Sequence, residues 1–534
     1  MRIAWEAAVN ERTNFDWDNN DTPYEMPEPQ GRNVIIFSDG TGQAGGIMPD
    51  EARSNVYKLY RATRTGPESN VDPDKQMTFY DPGLGSKLGD NGTRITLLRR
   101  LYNALSSATG LGISKNIEDC YAALIQLWRP GDRIFLFGFS RGAYTVRCLG
   151  GVLTLCGIPT RLPGRENVLR DPATIREIAR EAVHRVYRHG SGASEAIRGD
   201  PSTEQPSSNA VRTALTRKNK LAKQREALGA QFRRKYDSAG PIGPNVVPHF
   251  IGVWDTVAAV GLSRPAYNMV RLAALAATLL FSAGGAWWMV RQFNVEWLLL
   301  FVGMFVAIFG AGYLISIVLR LKFVTGLPEH PWYKTIHLTS LRMKFFDRSL
   351  HPHVRYARHA IAIDETRAEF DRVPWINDGT PPNRELAEGP WFIQYWFAGN
   401  HSDIGGSYAE NESRLSDIAL KWMVNHAEKA GLVVDDQYSH LFGRHHGPQH
   451  DETRVGIRLL GMTFKWRTHV RKMVDCATIH PSVRARFDEL YVPVYDEEKP
   501  YRPELLRNHV DYKDTYITEE AELRSAQERM ASAI

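Results

Sequence analysis

Short apolar runs alternate with longer amphipathic segments along most of the chain. Six of these runs have the length and composition of buried strands, and several end in a turn that contains glycine or aspartate. Between the second and third runs, residues 117–128 have helical spacing and stop at Pro130-Gly131. Strands separated by helices predict an α/β fold, with a mainly parallel sheet and helices on both faces. The predicted strands are residues 33–37, 77–80, 133–137, 249–254, 358–363 and 391–397.

A second pattern interrupts this alternation in the middle of the chain. Residues 272–290 and 297–319 contain no charged side chain, and each stretch can cross about 30 Å of hydrocarbon as a helix. The six residues 291–296 join them, which predicts an antiparallel transmembrane hairpin; a buried helical pair in a soluble core and a hairpin dipping into one leaflet are the alternatives. Aromatic residues cluster at the turn and basic residues flank the outer ends, namely Trp287, Trp288, Trp297, and Arg264, Arg271, Arg320, Lys322.

Charge around the hairpin predicts its orientation. Both outer ends are basic, while the turn contains Arg291 alone, so the positive-inside rule places the ends and the bulk of the chain in the cytoplasm. Small residues recur every four positions in both spans, which would allow close contact within the hairpin or a homo-oligomer through the membrane helices. These residues are Ala274, Thr278, Ser282, Ala286, and Gly303, Ala307, Ala311.

Residues 161–244 form a polar segment with mostly helical periodicity. Its central part, residues 190–208, is rich in Gly, Ser and Pro and is expected to be flexible. Residues 212–235 contain nine basic side chains and one acid, Glu226. Such a run is either a solvated helix face or, beside a membrane hairpin, a contact for anionic headgroups, and both interpretations stay open.

These patterns divide the chain into seven segments. They are an N-terminal tail (1–32), a first part of the α/β domain (33–160), the polar helical insertion (161–245), a further strand (246–266), the hairpin (267–323), a second part of the α/β domain (324–440) and a C-terminal extension (441–534).

The amino-acid composition excludes few classes of function. The chain has 534 residues, with 66 basic and 60 acidic side chains and a formal net charge of +6. The chain contains no run of basic residues interleaved with aromatic residues, so the sequence does not indicate nucleic-acid binding. The four cysteines lack C-x-x-C spacing and are expected to be small buried residues in a reducing compartment. The first thirty residues contain no apolar core of a secretory signal. The cysteines are Cys120, Cys148, Cys156 and Cys476.

The strongest chemical motif is G-x-S-x-G at Gly138-Phe139-Ser140-Arg141-Gly142. It stands between the predicted strand 133–137 and a helical pattern over 143–153, the context of a nucleophile elbow. Side chains at Gly138 and Gly142 would collide with the adjoining strand or helix. Ser140 is therefore the predicted nucleophile. The backbone N–H of Arg141, at the helix N-terminus, is a predicted oxyanion donor.

A serine nucleophile needs a base, and the base needs an orienting acid. His401 lies in a glycine-bounded loop, residues 399–406, after the strand 391–397, and is the predicted base. Asp255, after the strand 249–254, is the preferred acid, although it could serve as a helix N-cap. Asp364 also satisfies the chain order serine, acid, histidine, and Asp403 is not excluded.

A second oxyanion donor is expected from the turn after the first strand. Gly40 or Thr41 could present a backbone N–H there, and Asp39 could instead order the loop. The histidine-rich stretch 444–451 lacks the spacing of zinc motifs and predicts a solvated loop. We expect no catalytic metal and no cofactor.

Several motifs together resemble a known family. They are residues 37–42 (FSDGTG), 138–143 (GFSRGA), 253–257 (VWDTV), 358–365 (RHAIAIDE) and 399–406 (GNHSDIGG), with weaker matches at 479–483 and 501–505. This set is similar to the bacterial α/β-hydrolase domain of type VI secretion phospholipase effectors. The resemblance covers roughly residues 33–158 and 246–506 outside the hairpin. It implies an α/β-hydrolase fold, a Ser140-Asp255-His401 triad and hydrolysis of lipid acyl esters.

The sequence therefore predicts a membrane-anchored serine hydrolase of membrane phospholipids. The hairpin and its flanking charges predict two spans and a cytoplasmic catalytic domain, and with the resemblance to a bacterial family the expected location is a bacterial inner membrane. The bilayer should lie close to the site because the hairpin follows Asp255 closely. An esterase or thioesterase with a non-lipid acyl substrate, or a silent membrane scaffold, are the alternatives.

Overall fold

One parallel sheet organises the α/β part of the chain. The computed structural model describes residues 31–40, 52–83, 111–163, 171–190, 208–241, 243–257, 264–293, 296–327, 330–338, 350–375, 385–386, 389–454, 457–459 and 462–532. Six strands, all parallel, pair in the order β2-β1-β3-β4-β5-β6. They are β1 (Asn33–Ser38), β2 (Gln76–Asp81), β3 (Arg133–Phe139), β4 (Phe250–Trp254), β5 (Tyr356–Ala362) and β6 (Phe392–Phe397).

All six predicted strands are present, with ends that differ by at most two residues. The inner strands β1, β4 and β5 are buried along their whole length, whereas β2 and β6 at the edges are mostly half-buried. Strands covered on both faces favour continuous apolar runs, which is why the runs could be recognised in the sequence.

Helices cover both faces of the sheet. Val34 and Ile36 of β1 pack with helices on one face, and Ile35 and Phe37 pack with helices on the other, because successive strand residues point to opposite sides. The helices are α1 (Asn55–Thr63), α2 (Leu111–Leu127), α3 (Arg141–Cys156), α4 (Pro172–Arg180), α5 (Ser208–Tyr236), α6 (Arg264–Phe293), α7 (Trp297–Arg320), α8 (His401–Gly405), α9 (Arg414–Lys429), α10 (Pro481–Asp488) and α11 (Lys513–Ser532).

The strand order changes direction between β1 and β3. After β1 the chain passes to β2 on one side, and β3 to β6 then follow on the other side. In open parallel sheets, ligands bind at the carboxyl ends of the strands beside such a switch point. The residues that follow β1 and β3 at this edge are Asp39 and Ser140.

The predicted polar insertion is part of the core. Helix α4, the π-helix Glu181–Tyr187 and helix α5 turn apolar residues such as Ile175, Val183 and Phe232 toward the cluster that also contains α2 and α3. The helical prediction is thus confirmed, but the segment is not a separate surface element. The expected flexible stretch, 190–208, lies outside the described residues except for its two end positions.

Helices α6 and α7 contact each other side by side, with the Cβ position of Gly285 only 2.3 Å from Met304 Cε. Among the described residues, one helical stretch has the length and hydropathy of a membrane span, Trp297–Val318, and none of its residues is buried. Ser282 and Ala286 of the first small-residue stripe are buried, whereas Gly303, Ala307 and Ala311 of the second face outward. The two-span hairpin stays a prediction.

The C-terminal region packs beside the far edge of the sheet. Val483, Phe487 and Tyr501 form a cluster with Ile361 of β5 and Trp396 of β6. Residues beyond 470 therefore belong to the same folded unit as the strands. Three of the four cysteines are buried, but Cys476 in this region is exposed, so the expectation that all four are buried is wrong.

Two glycines allow the sharp turn from β3 into α3. Ser140 is the single residue between the strand and the helix. A Cβ at Gly142 would lie 1.9 Å from the Ser38 carbonyl oxygen of β1, and a Cβ at Gly138 would lie 2.5 Å from the Gly142 carbonyl oxygen. The start of α3 thus packs directly on the ends of β1 and β3, as the motif predicts.

We expect Gly142→Ala to lower the free energy of unfolding by at least about 2 kcal/mol, because the added methyl group meets rigid backbone rather than a movable side chain. The melting temperature in detergent measures this effect. Gly66→Ala is the matched control, since no heavy atom lies within 4 Å of its Cβ position, and its melting temperature should stay the same or rise slightly. Equal melting temperatures for the two variants would contradict the packing argument.

Candidate active site

Ser140 occupies a strained backbone conformation at the end of β3. Its φ of 58° and ψ of −119° lie in a region that side-chain-bearing residues rarely adopt. Such strain costs about 1–3 kcal/mol and persists where surrounding contacts hold it, here including the Ser140 N–H that donates to the Trp254 carbonyl oxygen at 3.1 Å. The strain presents the Ser140 hydroxyl at the carboxyl edge of the sheet.

Asp255 follows β4 directly and also has a positive φ, of 37°. Its Oδ2 accepts a hydrogen bond from His401 Nδ1 at 2.5 Å, and its Oδ1 accepts one from the Ala362 N–H at 3.0 Å. Arg471 donates to both oxygens, from Nη1 at 2.6 Å and from Nη2 at 2.9 Å. Burial alone would raise the pKa of Asp255, but Arg471 and His401 outweigh it and hold the pKa well below its usual range. Asp255 is therefore a buried carboxylate in its charged form.

His401 is the first residue of the short helix α8 rather than part of a loop. Asn400 caps this helix by accepting from the N–H groups of Ser402 and Asp403, and Asp403 Oδ2 accepts the Asn400 N–H in return. The Asn-His-Ser-Asp sequence thus forms a capping box, which the sequence analysis did not recognise. The cap holds the backbone of His401 beside Asp255.

Aromatic side chains enclose the imidazole of His401 on two sides. Its ring centroid lies 4.6 Å from that of Phe139, the residue before Ser140, and 5.1 Å from that of Phe370. Gly405 of α8 packs so closely that a Cβ there would lie 1.9 Å from the Phe139 ring. His401 and the elbow therefore meet at one edge of the sheet.

The Ser140 hydroxyl and His401 share this edge without a direct hydrogen bond in the described part of the chain. Ser140 is 6% exposed and His401 is 4% exposed. In enzymes without substrate, the bond between nucleophile and base is often long or poorly aligned. The structure thus brings the predicted acid and base into contact, and the predicted nucleophile follows Phe139, whose ring contacts that of His401.

The two alternative acids have other partners. Asp364 Oδ2 accepts from the Gly399 N–H and from the Tyr501 hydroxyl, each at 2.7 Å, and burial raises its pKa to about 6. Asp403 Oδ1 accepts from His450 Nδ1 at 2.8 Å, besides its role in the cap. Of the three candidates, Asp255 is the one that bonds to the His401 side chain.

The turn after β1 is ordered by Asp39. Its Oδ1 accepts the Gly40 N–H at 2.6 Å, and its Oδ2 accepts from the hydroxyls of Ser54 at 2.5 Å and Tyr80 at 2.6 Å. Gly40 lies beside the elbow, since its Cβ position is 3.6 Å from Ser140 Cβ. Because the Gly40 N–H is bonded to Asp39, it is not free to bind an oxyanion. Thr41, the other candidate, lies outside the described residues.

Arg141 begins α3, so its backbone N–H lacks a helical acceptor and stays available at the helix N-terminus. Burial lowers the pKa of the Arg141 guanidinium to about 10, which leaves it protonated at neutral pH. Arg141 is thus the predicted oxyanion donor that the described structure keeps available.

Several residues of the site were not predicted from the sequence. Arg471 lies 216 positions from Asp255 in an irregular segment, where no local pattern separates it from other basic residues. Glu365 accepts the backbone N–H of His401 at 3.3 Å and pairs with buried Arg367 at 2.7 Å. Glu365 was part of the family-like segment 358–365, so the resemblance could have indicated it.

The histidine-rich stretch 444–451 does not gather metal ligands. His445 pairs with Glu489 at 2.9 Å, and His450 pairs with Asp403. Within the residues that the structure describes, no group of three or more His, Cys, Asp and Glu side chains is arranged to hold a metal ion.

A curated protein matches a short part of this chain. It is similar, with 35% identity over 132 residues, to the uncharacterized protein YEL023C of Saccharomyces cerevisiae, an alignment that spans 24% of this chain and 18% of that protein. The chain thus covers less than a fifth of that relative.

Solved structures align loosely with this chain. An uncharacterized Pseudomonas aeruginosa protein has 16% identity and a TM-score of 0.30, over 77% of this chain and 48% of that one. The Tle1 effector bound to the VgrG spike from the type 6 secretion system has 12% identity and a TM-score of 0.30, over 77% and 76%. The RedJ thioesterase of the Streptomyces coelicolor prodiginine pathway has 12% identity and a TM-score of 0.23, over 77% and 99%.

The sequence model of the catalytic domain of Tle1-like phospholipase effectors of the type VI secretion system matches residues 32–282 and 310–426. These ranges make up more than half of the chain and include Ser140, Asp255 and His401. The expected resemblance is therefore confirmed, and the chain belongs to the family of Tle1-like type VI secretion phospholipase effector catalytic domains.

Proposed function

We propose that this chain is a serine hydrolase that cleaves carboxylic ester bonds of membrane phospholipids. The observation that carries the proposal is the 2.5 Å hydrogen bond from His401 Nδ1 to the buried Asp255 carboxylate, next to a serine in a strained elbow. A histidine oriented in this way through Nδ1 can use Nε2 as a general base toward Ser140. Membership of a phospholipase family supports an acyl ester of a lipid as the substrate.

In the proposed reaction, His401 Nε2 takes the proton of Ser140 as the serine oxygen attacks the acyl carbonyl. Asp255 stabilises the imidazolium that forms. The N–H of Arg141, and one from the loop after Gly40, would bind the oxyanion, at about 3 kcal/mol for each donor. The imidazolium then donates its proton to the departing lysolipid or glycerol oxygen. Water attacks the acyl-serine with His401 again as base, and free fatty acid is released.

We expect Ser140→Ala to lower the release of fatty acid from mixed phospholipid vesicles by at least about 10⁴-fold, because the nucleophile is lost. The assay uses detergent-purified full-length protein.

Asp255→Asn should lower the rate of fatty-acid release in the same assay by about 10⁴-fold, since the amide favours the wrong histidine tautomer. Asp364→Asn is the matched control, because its carboxylate bonds to Gly399 and Tyr501 rather than to His401, and its rate should stay within about threefold of wild type.

Labelling of Ser140 with a fluorophosphonate separates the outcomes of this assay. A labelled wild type that releases no fatty acid would point to a non-lipid acyl substrate. A wild type that takes no label would refute the serine-hydrolase proposal and favour a scaffold. Loss of activity in Asp364→Asn but not in Asp255→Asn would reverse the assignment of the acid.

We propose further that α6 and α7 anchor the protein in a membrane, with the catalytic domain on the cytoplasmic side of a bacterial inner membrane. Large apolar side chains of α7 are exposed, including Leu299 (69%), Val306 (61%) and Leu314 (61%). A continuous apolar surface of this kind on a soluble protein would be an aggregation hazard. The family model matches residues up to 282 and again from 310, so the tip of the hairpin, residues 283–309, lies outside the match.

Residues that follow α7 support the same arrangement. Phe323, Trp332 and Tyr333 are each more than half exposed, and Trp332 contacts the other two rings edge-on. The short strands Leu321–Lys322 and His337–Leu338 hold this aromatic group at the base of α7. Exposed aromatic rings beside a basic helix end are typical of the membrane–water interface.

Fluorescent labels on single cysteines test the anchor. With Cys476→Ser removing the exposed native thiol, cysteine is placed at Phe309, at Tyr333 and, as a control, at Leu490, which is 77% exposed on the catalytic domain. In proteoliposomes we expect lipids with deep spin labels to quench position 309, lipids with headgroup spin labels to quench position 333, and aqueous iodide to quench position 490. Quenching of position 309 by iodide alone would contradict membrane insertion.

A further inference from the structure

The guanidinium of Arg471 is the most buried cationic group at the candidate site. Its side chain is 1% exposed. Its Nη1 donates to Asp255 Oδ1 at 2.6 Å and to the Ala362 carbonyl oxygen at 3.1 Å. Its Nη2 donates to Asp255 Oδ2 at 2.9 Å and to the Phe370 carbonyl oxygen at 2.6 Å. All four Nη hydrogens thus have acceptors, and two of them bind the carboxylate in a fork.

We propose that Arg471 is a positioning residue of the reaction, which fixes the orientation and the charge of Asp255 so that Asp255 can hold His401. This inference rests on the proposed function, because it assigns Arg471 a role through the proposed acid. The family match ends at residue 426, so Arg471 lies outside the matched residues.

The geometry explains why an arginine is required. Asp255 Oδ2 accepts from both His401 and Arg471, while Oδ1 accepts from Arg471 and the Ala362 N–H. A bidentate guanidinium fixes the plane of the carboxylate, and the backbone N–H adds a further constraint. The carboxylate therefore cannot rotate away from His401 without breaking these bonds. A lysine would keep the charge, but a single ammonium group cannot reproduce the fork.

Burial makes the charge of Arg471 necessary as well. Asp255 has no exposed surface, and removing a carboxylate from water strongly favours its neutral form unless a cation compensates. A protonated Asp255 could not stabilise an imidazolium at His401. Arg471 keeps Asp255 ionised, and the pKa of Arg471 is itself raised, because the attraction of Asp255 outweighs the effect of burial.

The segment that carries Arg471 is held by backbone hydrogen bonds on its N-terminal side. The Ala368 N–H donates to the Arg467 carbonyl oxygen at 2.8 Å, and the His469 N–H donates to the Thr366 carbonyl oxygen at 2.7 Å. These bonds join residues 467–469 to the stretch that leads to Phe370, which contacts the His401 ring. Arg471 thus links the ends of β4 and β5 to one wall of the candidate site.

Arg471→Lys tests the proposal, with Arg486→Lys as the matched control. Arg486 is also fully buried in the C-terminal region, but its strongest bonds are to the carbonyl oxygens of His445, Gly447 and Pro493, away from Asp255. With p-nitrophenyl butyrate we expect Arg471→Lys to lower kcat by about 10²-fold while KM changes by no more than about twofold, because the residue binds no substrate group. Arg486→Lys should lower the melting temperature and leave the kcat of the folded protein unchanged.

A double-mutant cycle tests whether Arg471 acts through Asp255. If it does, Asp255→Asn combined with Arg471→Met should react with a fluorophosphonate about as slowly as Asp255→Asn alone. The double variant also covers the case in which Arg471→Lys does not fold, since removing both partners of a buried pair costs less than removing one. A further loss of about tenfold or more in the double variant would overturn the proposal, as would a kcat for Arg471→Lys equal to that for Arg486→Lys.

The same labelling distinguishes this inference from the proposed function. A wild-type protein that takes no fluorophosphonate at Ser140 would refute the serine hydrolase itself. If the wild-type protein is labelled and the Arg471→Lys variant is labelled at the same rate, the role of Arg471 is refuted, while the serine-hydrolase proposal stands.

Discussion

The buried carboxylate of Asp255 is the group around which the candidate site is organised. It has no exposed surface, and it accepts hydrogen bonds from His401, from the Ala362 N–H and from both Nη atoms of Arg471. A buried charge is tolerated only where such partners compensate its lost hydration. These partners come from α8, from the end of β5 and from the C-terminal region. Because the buried charge requires these partners, their hydrogen bonds join parts of the chain that are more than two hundred residues apart.

The parallel sheet explains why the site lies where it does. All six strands point the same way, so their carboxyl ends form one edge, and the residues that follow β1, β3 and β4 meet there. The strand order reverses between β1 and β3, which opens a crevice at that point. Ser140 is at this position, and Asp39 organises the adjoining turn through Gly40, Ser54 and Tyr80. Ser140 and Asp255, which both have a positive φ, lie at this edge, where the surrounding hydrogen bonds can maintain the strain.

The helical pair contrasts with the rest of the molecule. In the α/β domain the apolar side chains lie against the sheet, whereas on α7 none of the residues Trp297–Val318 is buried. Helix α6 begins nine residues after Asp255, so the proposed membrane surface would be close to the carboxyl edge of the sheet. In this arrangement a phospholipid would reach Ser140 without leaving the vicinity of the bilayer.

Local sequence was sufficient for the features that depend on neighbouring residues. Apolar runs identified all six strands, most clearly β1 and β4, because strands buried on both faces favour apolar side chains. The spacing G-x-S-x-G identified the elbow, because only glycine fits where α3 meets β1. Chain order allowed both Asp255 and Asp364 as the acid, and the sequence analysis preferred Asp255. Local sequence could not show that His401 begins a capped helix or that the Gly40 N–H is bonded to Asp39.

Tertiary structure decided the remaining questions, since they depend on distances between residues far apart in the chain. Asp255 rather than Asp364 meets the His401 side chain, since Asp255 accepts the hydrogen bond from His401 Nδ1 while Asp364 is bonded to Gly399 and Tyr501. The polar segment 161–244 joins the core because its apolar face finds α2 and α3. Arg471 joins the site because folding brings a C-terminal segment onto the end of β5. The sequence thus determined the strands, the elbow and the family, and the fold alone decided which charges share the buried edge.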